Sequence, residues 1–286
     1  MRKAAFCPGH ITGFFEICRS DKLLSTGSRG AGSCLTLGAT SVVNTADSAR
    51  QSIHVSINGR ESDASVTKHA LRYLAEQERL GISVSTTLDL PVSQGFGMSA
   101  AGSLSASLAL ADILGKSRQK AFEAAHIAEV ERGGGLGDVS ALHRGGVTVR
   151  KKAGLPPIGK VLRIDGEPEV VLCVVGRRIL TKGVLTNPAK ARAINATGSR
   201  KVDELLKKPS IYRLMELYTQ FAQESGLASR RILDVMSAAS KLGMASMSML
   251  GSSVFAVGDV AGLSRVLSDF GDTYVCRVDT RGPRLL

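Results

Sequence analysis

Residues 91–103 read Pro91-Val-Ser-Gln-Gly-Phe-Gly-Met-Ser-Ala-Ala-Gly-Ser103 and lie where one sequence pattern gives way to another. Before them, Ile82, Val84, Thr86, Leu88 and Leu90 alternate as a half-buried strand that Pro91 ends; after them, Ser99 to Leu114 reads as a helix of small residues and leucines. A glycine-rich turn joining a strand to a helix lets backbone N–H groups close on phosphate oxygens at the positive helix terminus. The stretch is thus built to receive an anion, although taken alone such a turn also serves as a packing device. It is not a dinucleotide fingerprint, because Met98 to Ala101 separate Gly97 from the next glycine and no acidic residue follows about 20 positions on. Nor is it a Walker A loop: Gly115-Lys116-Ser117 would need a glycine at 110, where Leu110 stands.

Around this turn the first half mixes strands and helices. Ile53, Val55 and Ile57 alternate and run into Asn58-Gly59, a hairpin turn whose residues tolerate positive φ. Helices are expected over 65–79 and about 119–132, followed by a glycine run, Gly133 to Gly137 broken by Leu136, and a short strand at Val147 and Val149. In the second half Val170 to Val175 is a buried strand. Ile211, Leu214, Met215, Tyr218, Phe221 and Ala222 trace one helical face, and 253–278 reads strand, helix, strand. Pro156, Pro157 and Gly166 cluster at 155–168, so a boundary is placed there, giving domains 1–160 and 161–286.

The 286 residues, 43% hydrophobic and 22% charged, suffice for a core without disulfides or metal. The longest aliphatic run falls far short of the roughly 20 residues that span a bilayer. Arg2 and Lys3 precede an apolar stretch that Pro8 and Gly9 interrupt before any secretory signal is complete. Five cysteines, an odd number without a CxxC pair, argue against a zinc ribbon or disulfide framework and for a reducing cytoplasm. The net charge of +12 is uneven: residues 1–149 hold 15 basic and 13 acidic side chains, residues 150–286 hold 22 and 12. That field favours anionic ligands of any kind. With 4% aromatic residues and no Trp, the stacking faces that single-stranded nucleic acid needs are scarce.

Three ordered segments carry a resemblance. Residues 91–103 resemble the PxxxGLGSSAA motif of the GHMP kinases, with Phe96 for Leu and Met98 for the first Ser. Pro8-Gly-His-Ile-Thr-Gly-Phe-Phe15 looks like that superfamily's first motif, and Gly243-Met-Ala-Ser-Met-Ser-Met-Leu-Gly-Ser-Ser-Val-Phe-Ala-Val257 like its third. Within the superfamily, PGHITGFFEI at 8–17, GSRGAGSCLTLG at 27–38 and GLGDVSALHRGG at 135–146 resemble the archaeal pantoate kinases. The resemblance implies an α+β GHMP kinase fold, with a ribosomal-S5-like N-terminal domain and a ferredoxin-like C-terminal domain. It also implies ATP and Mg²⁺, pantoate as the phosphoryl acceptor, and a homodimer.

Phosphoryl transfer needs held phosphates, a metal between them and a group that receives the hydroxyl proton. The resemblance assigns nucleotide binding to Pro91, Gly95, Gly97, Met98, Ser99, Ala100, Ala101 and Gly102, with the Ser99 hydroxyl on Mg²⁺ or the β-phosphate; an N-cap serine is the alternative, compatible with that role. Glu129 matches the metal-binding carboxylate, nine residues before Asp138, whereas Glu131 competes at seven. Asp138 stands where the family's proton-accepting aspartate falls, and could instead cap a turn. Pantoate brings a carboxylate and two hydroxyls. Arg150 is the candidate for the carboxylate because its fork bonds two oxygens; Lys151 and Lys152 continue past the strand into solvent. His126, one turn before Glu129, is expected to reach the same cavity, or else to be a buried core histidine. Ser28 and Arg29, in a permissive loop 27–30, and Thr181 complete the acceptor set, with ordinary ST-turns the alternative for Ser28 and Thr181. His10 is a further candidate for the pocket wall.

Two other functions compete. A GHMP kinase acting on shikimate, homoserine or mevalonate would share the nucleotide machinery. A ligand-responsive nucleic-acid-binding regulator would use the basic second half, but the acid pair and the scatter of basic residues over several helices argue for a small-molecule kinase with no nucleic-acid partner.

Overall fold

Two long antiparallel strands, β1 (Arg2–Cys18) and β2 (Gly27–Asp47), form the spine of the molecule. They run in register from Arg2↔Asn44 to Cys18↔Gly27, with irregularities at Pro8/Gly9 and Thr12/Phe14. The structure, a computed structural model, describes residues 1–76, 78–178 and 181–286; the side chains of Thr181 and Lys182 fall outside that description. Residues 27–30, expected as a loop, are the start of β2, because their backbone groups pair with β1 on one side and, from Gly30, with β6 (Val147–Lys152) on the other. Further along, β2 pairs with β5 (Leu80–Leu88), which runs parallel to β3 (Ser52–Ile57). Asn58 and Gly59 turn β3 into β4 (Arg60–Glu61) with φ of 48° and 77°, as the sequence predicts.

Two helices, α1 (Ser65–Leu74) and α2 (Met98–Ile113), pack on this sheet, and α3 (Arg118–Arg132) packs against both of them. Every residue of α2 but Ser99 and Asp112 is buried, which explains its composition: a helix enclosed on all sides needs small and apolar residues all round. A short helix, α4 (Asp138–Leu142), follows the glycine run.

The expected division after residue 160 meets β7 (Lys160–Ile164), which pairs with β6 and so extends the first sheet to Ile164. The chain then enters a second, four-stranded antiparallel sheet made of β8 (Glu169–Val174), β9 (Gly243–Met247), β10 (Ser253–Gly258) and β11 (Asp272–Arg277), in the order β11-β8-β10-β9. With α5 (Thr181–Leu185), α6 (Pro188–Lys207), α7 (Ile211–Glu224) and α8 (Arg230–Ala239) between β8 and β9, and α9 (Val260–Ser268) between β10 and β11, this is an elaborated βαββαβ unit, the expected ferredoxin-like arrangement. The C-terminus returns as β12 (Arg284–Leu285) to pair with β1. The α7 face reaches back to β1: the Tyr218 ring covers Gly13, where a Cβ would come within 1.9 Å of it. The two layers therefore meet over the middle of β1.

Candidate active site

All three motifs converge on the start of α2. Gly97 is its N-cap in the left-handed conformation, φ 64°, a position that a residue with a Cβ adopts at a cost. Ser99 is therefore the second helical residue and not the cap of the alternative reading. The N–H of Ala101 already donates to Gly97 O, which leaves the N–H groups of Met98, Ser99 and Ala100 without intrahelical acceptors at the positive end of the helix. The first motif braces the turn through His10, whose N–H donates to Phe96 O at 2.9 Å. The third motif braces it through two hydroxyls: Ser248 Oγ donates to Gly95 O at 2.7 Å and Ser253 Oγ to Gln94 O at 2.5 Å. Three distant segments thus fix one anion-receiving turn.

The acid pair stands beside that turn. Ser99 Oγ donates to Glu129 Oε1 at 2.5 Å. Glu129 is buried at 3% exposure, and burial pushes its carboxyl up to about 7, with the Ser99 hydrogen bond opposing and the charge of Asp138 reinforcing the shift. Glu131 instead points outward to His69, 2.5 Å away, so the geometry brings Glu129 and not Glu131 into the site. Asp138 is the first residue of α4, with Oδ1 2.8 Å from His10 Nδ1. A Cβ on Gly135 would lie 3.0 Å from Glu129 Oε2 and 3.2 Å from Asp138 Oδ2, so the two carboxylates share this corner, and a larger residue there would press on both.

Arg150 reaches the same cleft from β6. It is 1% exposed, and its Nε and Nη1 have no hydrogen-bond partner among the described residues. Burial pulls the guanidinium below its ordinary value, with Asp138 acting the other way. Ser28 and Gly137 crowd it: a Cβ on Gly137 would lie 2.3 Å from Ser28 Oγ and 2.8 Å from Arg150 Nε. Lys151 and Lys152 are exposed, in keeping with the expectation from strand geometry.

A cleft of about 490 Å³ joins these groups, running from Gly95–Ser99 past Glu129 and Asp138 to Arg150 and Ser28. A hollow of about 280 Å³, with Ile57, Val66, Leu88 and Val92 in its wall, opens on the other side of Ser99 and borders Gly102. Pro91 lines neither. A larger hollow of about 570 Å³ lies apart, between α7, α8 and β9, with Glu216 its one charged wall residue.

Other expected acceptor residues lie elsewhere. Arg29 is occupied by Glu16, 2.9 Å, and Asp203, 2.5 Å, at the edge of β2, because the alternation of the strand turns it away from Ser28. His126 fits the alternative of a core histidine: its Nε2 lies 3.2 Å from Leu23 O and 3.1 Å from Thr26 O, so it holds the short helix 23–25 rather than lining the cleft. The Thr181 side chain lies outside the described residues. The sequence reading omitted Thr12, Phe15, Leu185, Met249 and Leu250, which wall the cleft on the side of the second sheet. Thr12, Phe15, Met249 and Leu250 fall inside the quoted motifs; nothing in the sequence marked Leu185.

The oxygen donors suit a hard divalent cation. Among the described residues no three His, Cys, Asp or Glu side chains gather as a metal cage, so the chain offers one carboxylate and one hydroxyl, Glu129 and Ser99, the sparse protein set with which Mg²⁺ binds alongside phosphates and water. A carboxyl raised to about 7 by burial also gains from a cation beside it. No helix among the described residues is long and apolar enough to cross a membrane.

Comparison with known proteins gives consistent relatives. Residues 65–146 match the GHMP kinases N terminal domain. A pantoate kinase of Thermococcus kodakarensis is 34% identical over 293 residues, covering 98% of this chain and 97% of that protein. A pantoate kinase of Methanocaldococcus jannaschii is 33% identical over 273 residues, covering 96% and 99%. A solved structure described as a phosphotransferase related to the CoA biosynthesis pathway is 31% identical and superposes with a TM-score of 0.91, covering 100% of this chain and 99% of that one. The mevalonate kinase of Methanococcus jannaschii, 15% identical with a TM-score of 0.67 over 97% and 98% of the two chains, shares the fold.

Proposed function

We propose, because this chain belongs to the pantoate kinase family of the GHMP kinases, that it transfers the terminal phosphoryl group of ATP to the primary hydroxyl of pantoate, giving 4-phosphopantoate for coenzyme A synthesis. The observation that carries the choice of acceptor is Arg150: a buried guanidinium with two unpartnered nitrogens, at the end of the cleft away from the glycine turn. An acceptor that carries both a carboxylate and a primary hydroxyl has a partner for each in this cleft, Arg150 for the first and the acid pair for the second.

In this reading the polyphosphate lies against the start of α2, held by the N–H groups of Met98, Ser99 and Ala100, and the base occupies the apolar hollow beside Val66 and Leu88. Ser99 and Glu129 would hold Mg²⁺, which neutralises charge on the phosphates when bound. Arg150 binds the substrate carboxylate through two parallel N–H···O bonds. Ser28 Oγ, beside it, meets the secondary hydroxyl. Asp138 accepts the hydrogen bond of the primary hydroxyl through Oδ2 and receives its proton as the oxygen–phosphorus bond forms. Phe15 and Leu185 supply apolar wall for the methyl groups. Since the transition state is loose, orientation by Arg150 and Asp138 contributes more than basicity.

An ATP-dependent assay with pantoate, shikimate, homoserine and mevalonate tests the reading. Pantoate is expected as the preferred acceptor, with the phosphate on its primary oxygen. Preference for another of the four would overturn the assignment of the acceptor, and salt-sensitive nucleic-acid binding without ATP turnover would overturn the enzyme.

A further inference from the structure

We infer that His10 is a positioning residue: its buried imidazole holds one carboxylate oxygen of Asp138 so that the other is presented to the acceptor hydroxyl. This rests on the reading of Asp138 above, and goes beyond it in assigning what aims that carboxylate.

His10 is fully buried, and its backbone N–H is committed to the glycine turn at Phe96 O, so the residue is anchored to the phosphate end of the cleft. Its Nδ1 lies 2.8 Å from Asp138 Oδ1, and this is the one side-chain hydrogen bond of Asp138 among the described residues. The N-cap of α4, Gly137, offers no side-chain contact, so nothing else of that kind fixes the Asp138 rotamer. A carboxylate only accepts, which puts the imidazole proton on Nδ1. The far nitrogen agrees: Nε2 has no partner among the described residues and sits against Gly32, where a Cβ would come within 2.4 Å. Protonation there would bury a donor with nothing to receive it.

Burial holds His10 below the ordinary imidazole value even though the contact with Asp138 works the other way, and Arg150 adds to the depression. His10 is therefore a neutral donor at pH 7. It orients the carboxylate without cancelling its charge, which a lysine or arginine in the same place would do. The consequence is geometric: Oδ1 is tied back, and Oδ2 faces the corner at Gly135 shared with Glu129 Oε2.

Three substitutions separate this from a packing role. His10→Asn keeps an amide N–H near the position of Nδ1, His10→Gln moves it toward that of Nε2, and His10→Phe fills the space without a donor. Losing a hydrogen bond to a charged group predicts that the Gln and Phe variants lose kcat by about 10- to 100-fold, with KM for pantoate and ATP within about 3-fold, while Asn recovers most of the loss. Equal losses in all three variants would make His10 a packing residue; a rise in KM for pantoate at constant kcat would make it a substrate contact. Either result overturns the proposal. An independent readout needs no substrate: in protein labelled with ¹⁵N-histidine, the His10 ring is expected as the neutral Nδ1–H tautomer, becoming mixed in Asp138→Ala. An Nε2–H tautomer in the unsubstituted protein would refute the inference. Failure of that protein to phosphorylate pantoate would refute the proposed function instead, and leave the spectrum to decide His10.

Discussion

The two ends of the cleft are built on opposite principles. At the glycine turn, the backbone carbonyls of Gln94, Gly95 and Phe96 are already bonded by Ser253, Ser248 and His10, so the turn is rigid before any ligand arrives. At the far end, Arg150 is buried, yet two of its nitrogens bond nothing among the described residues. The first end is completed by the fold and the second by the substrate. Rigid donors cost no reorganisation when phosphate binds, whereas an unpartnered buried cation costs stability until an anion covers it. Specificity for an acid should therefore reside at the Arg150 end, and catalytic power in the acid pair between the two.

The largest effect is expected at that pair. Asp138→Asn and Glu129→Gln preserve volume and remove charge, and each should lower kcat by about 10²- to 10⁴-fold while the protein stays folded by thermal melting. Near-normal kcat with Mg²⁺ present in either variant would remove that residue from the chemistry. Next comes Arg150→Ala, expected to reduce kcat/KM for pantoate about 10- to 150-fold with a much smaller change for ATP. Equal weakening of both substrates would place Arg150 on the nucleotide side and erase the contrast between the two ends.

A stability measurement sharpens the contrast from the other direction. The Glu129 carboxyl titrates near 7 in the folded protein against a usual value near 4.5, so the folded state holds the proton more tightly. Stability then falls as pH rises from about 4.5 to 7 and stays lowered above, by about 3 kcal/mol at most. Glu129→Gln lacks that loss. Without ligands it should melt higher than the natural protein at pH 8 and equally at pH 4.5, although it is inactive; identical melting at both pH values would mean that Glu129 is not strained by burial. The smallest effects are expected at Lys151→Ala and Lys152→Ala, which should alter little beyond the salt dependence of ATP capture, because both side chains are exposed.

What could be read from the sequence followed from local pattern. The hairpin at Asn58-Gly59, the enclosed helix after Gly97 and the strand–helix–strand of 253–278 are each short-range signals, and each recurs in the structure. β1 and β2 were not legible, because both faces of long stretches are covered and their residues do not alternate. The 20-residue α6 also escaped: its buried positions include Thr197, Gly198 and Lys201, which look polar or neutral from sequence. In the site, the motifs supplied Ser99 and Asp138, the nine-residue spacing to Asp138 supplied Glu129, and the two-pronged guanidinium supplied Arg150. Arg29 and His126 lie off the cleft for related reasons. Strand alternation at 28 and 29 separates Ser28 from Arg29, and a one-turn helical offset puts His126 near Glu129 without saying which layer its ring enters. The link between His10 and Asp138 joins residues 128 apart, and no local rule reports it.

The most direct test of the contrast is a cycle of two proteins and two acceptors: the natural chain and Arg150→Ala, each assayed with pantoate and with its neutral amide, pantoamide, at saturating ATP. If Arg150 is kept unpartnered for a carboxylate, the natural protein should favour pantoate over the amide by about 10- to 100-fold in kcat/KM, and the Arg150→Ala variant should lose most of that preference. A variant that is weaker on both acceptors but keeps the full preference for the acid would contradict the account and place the carboxylate against another cation.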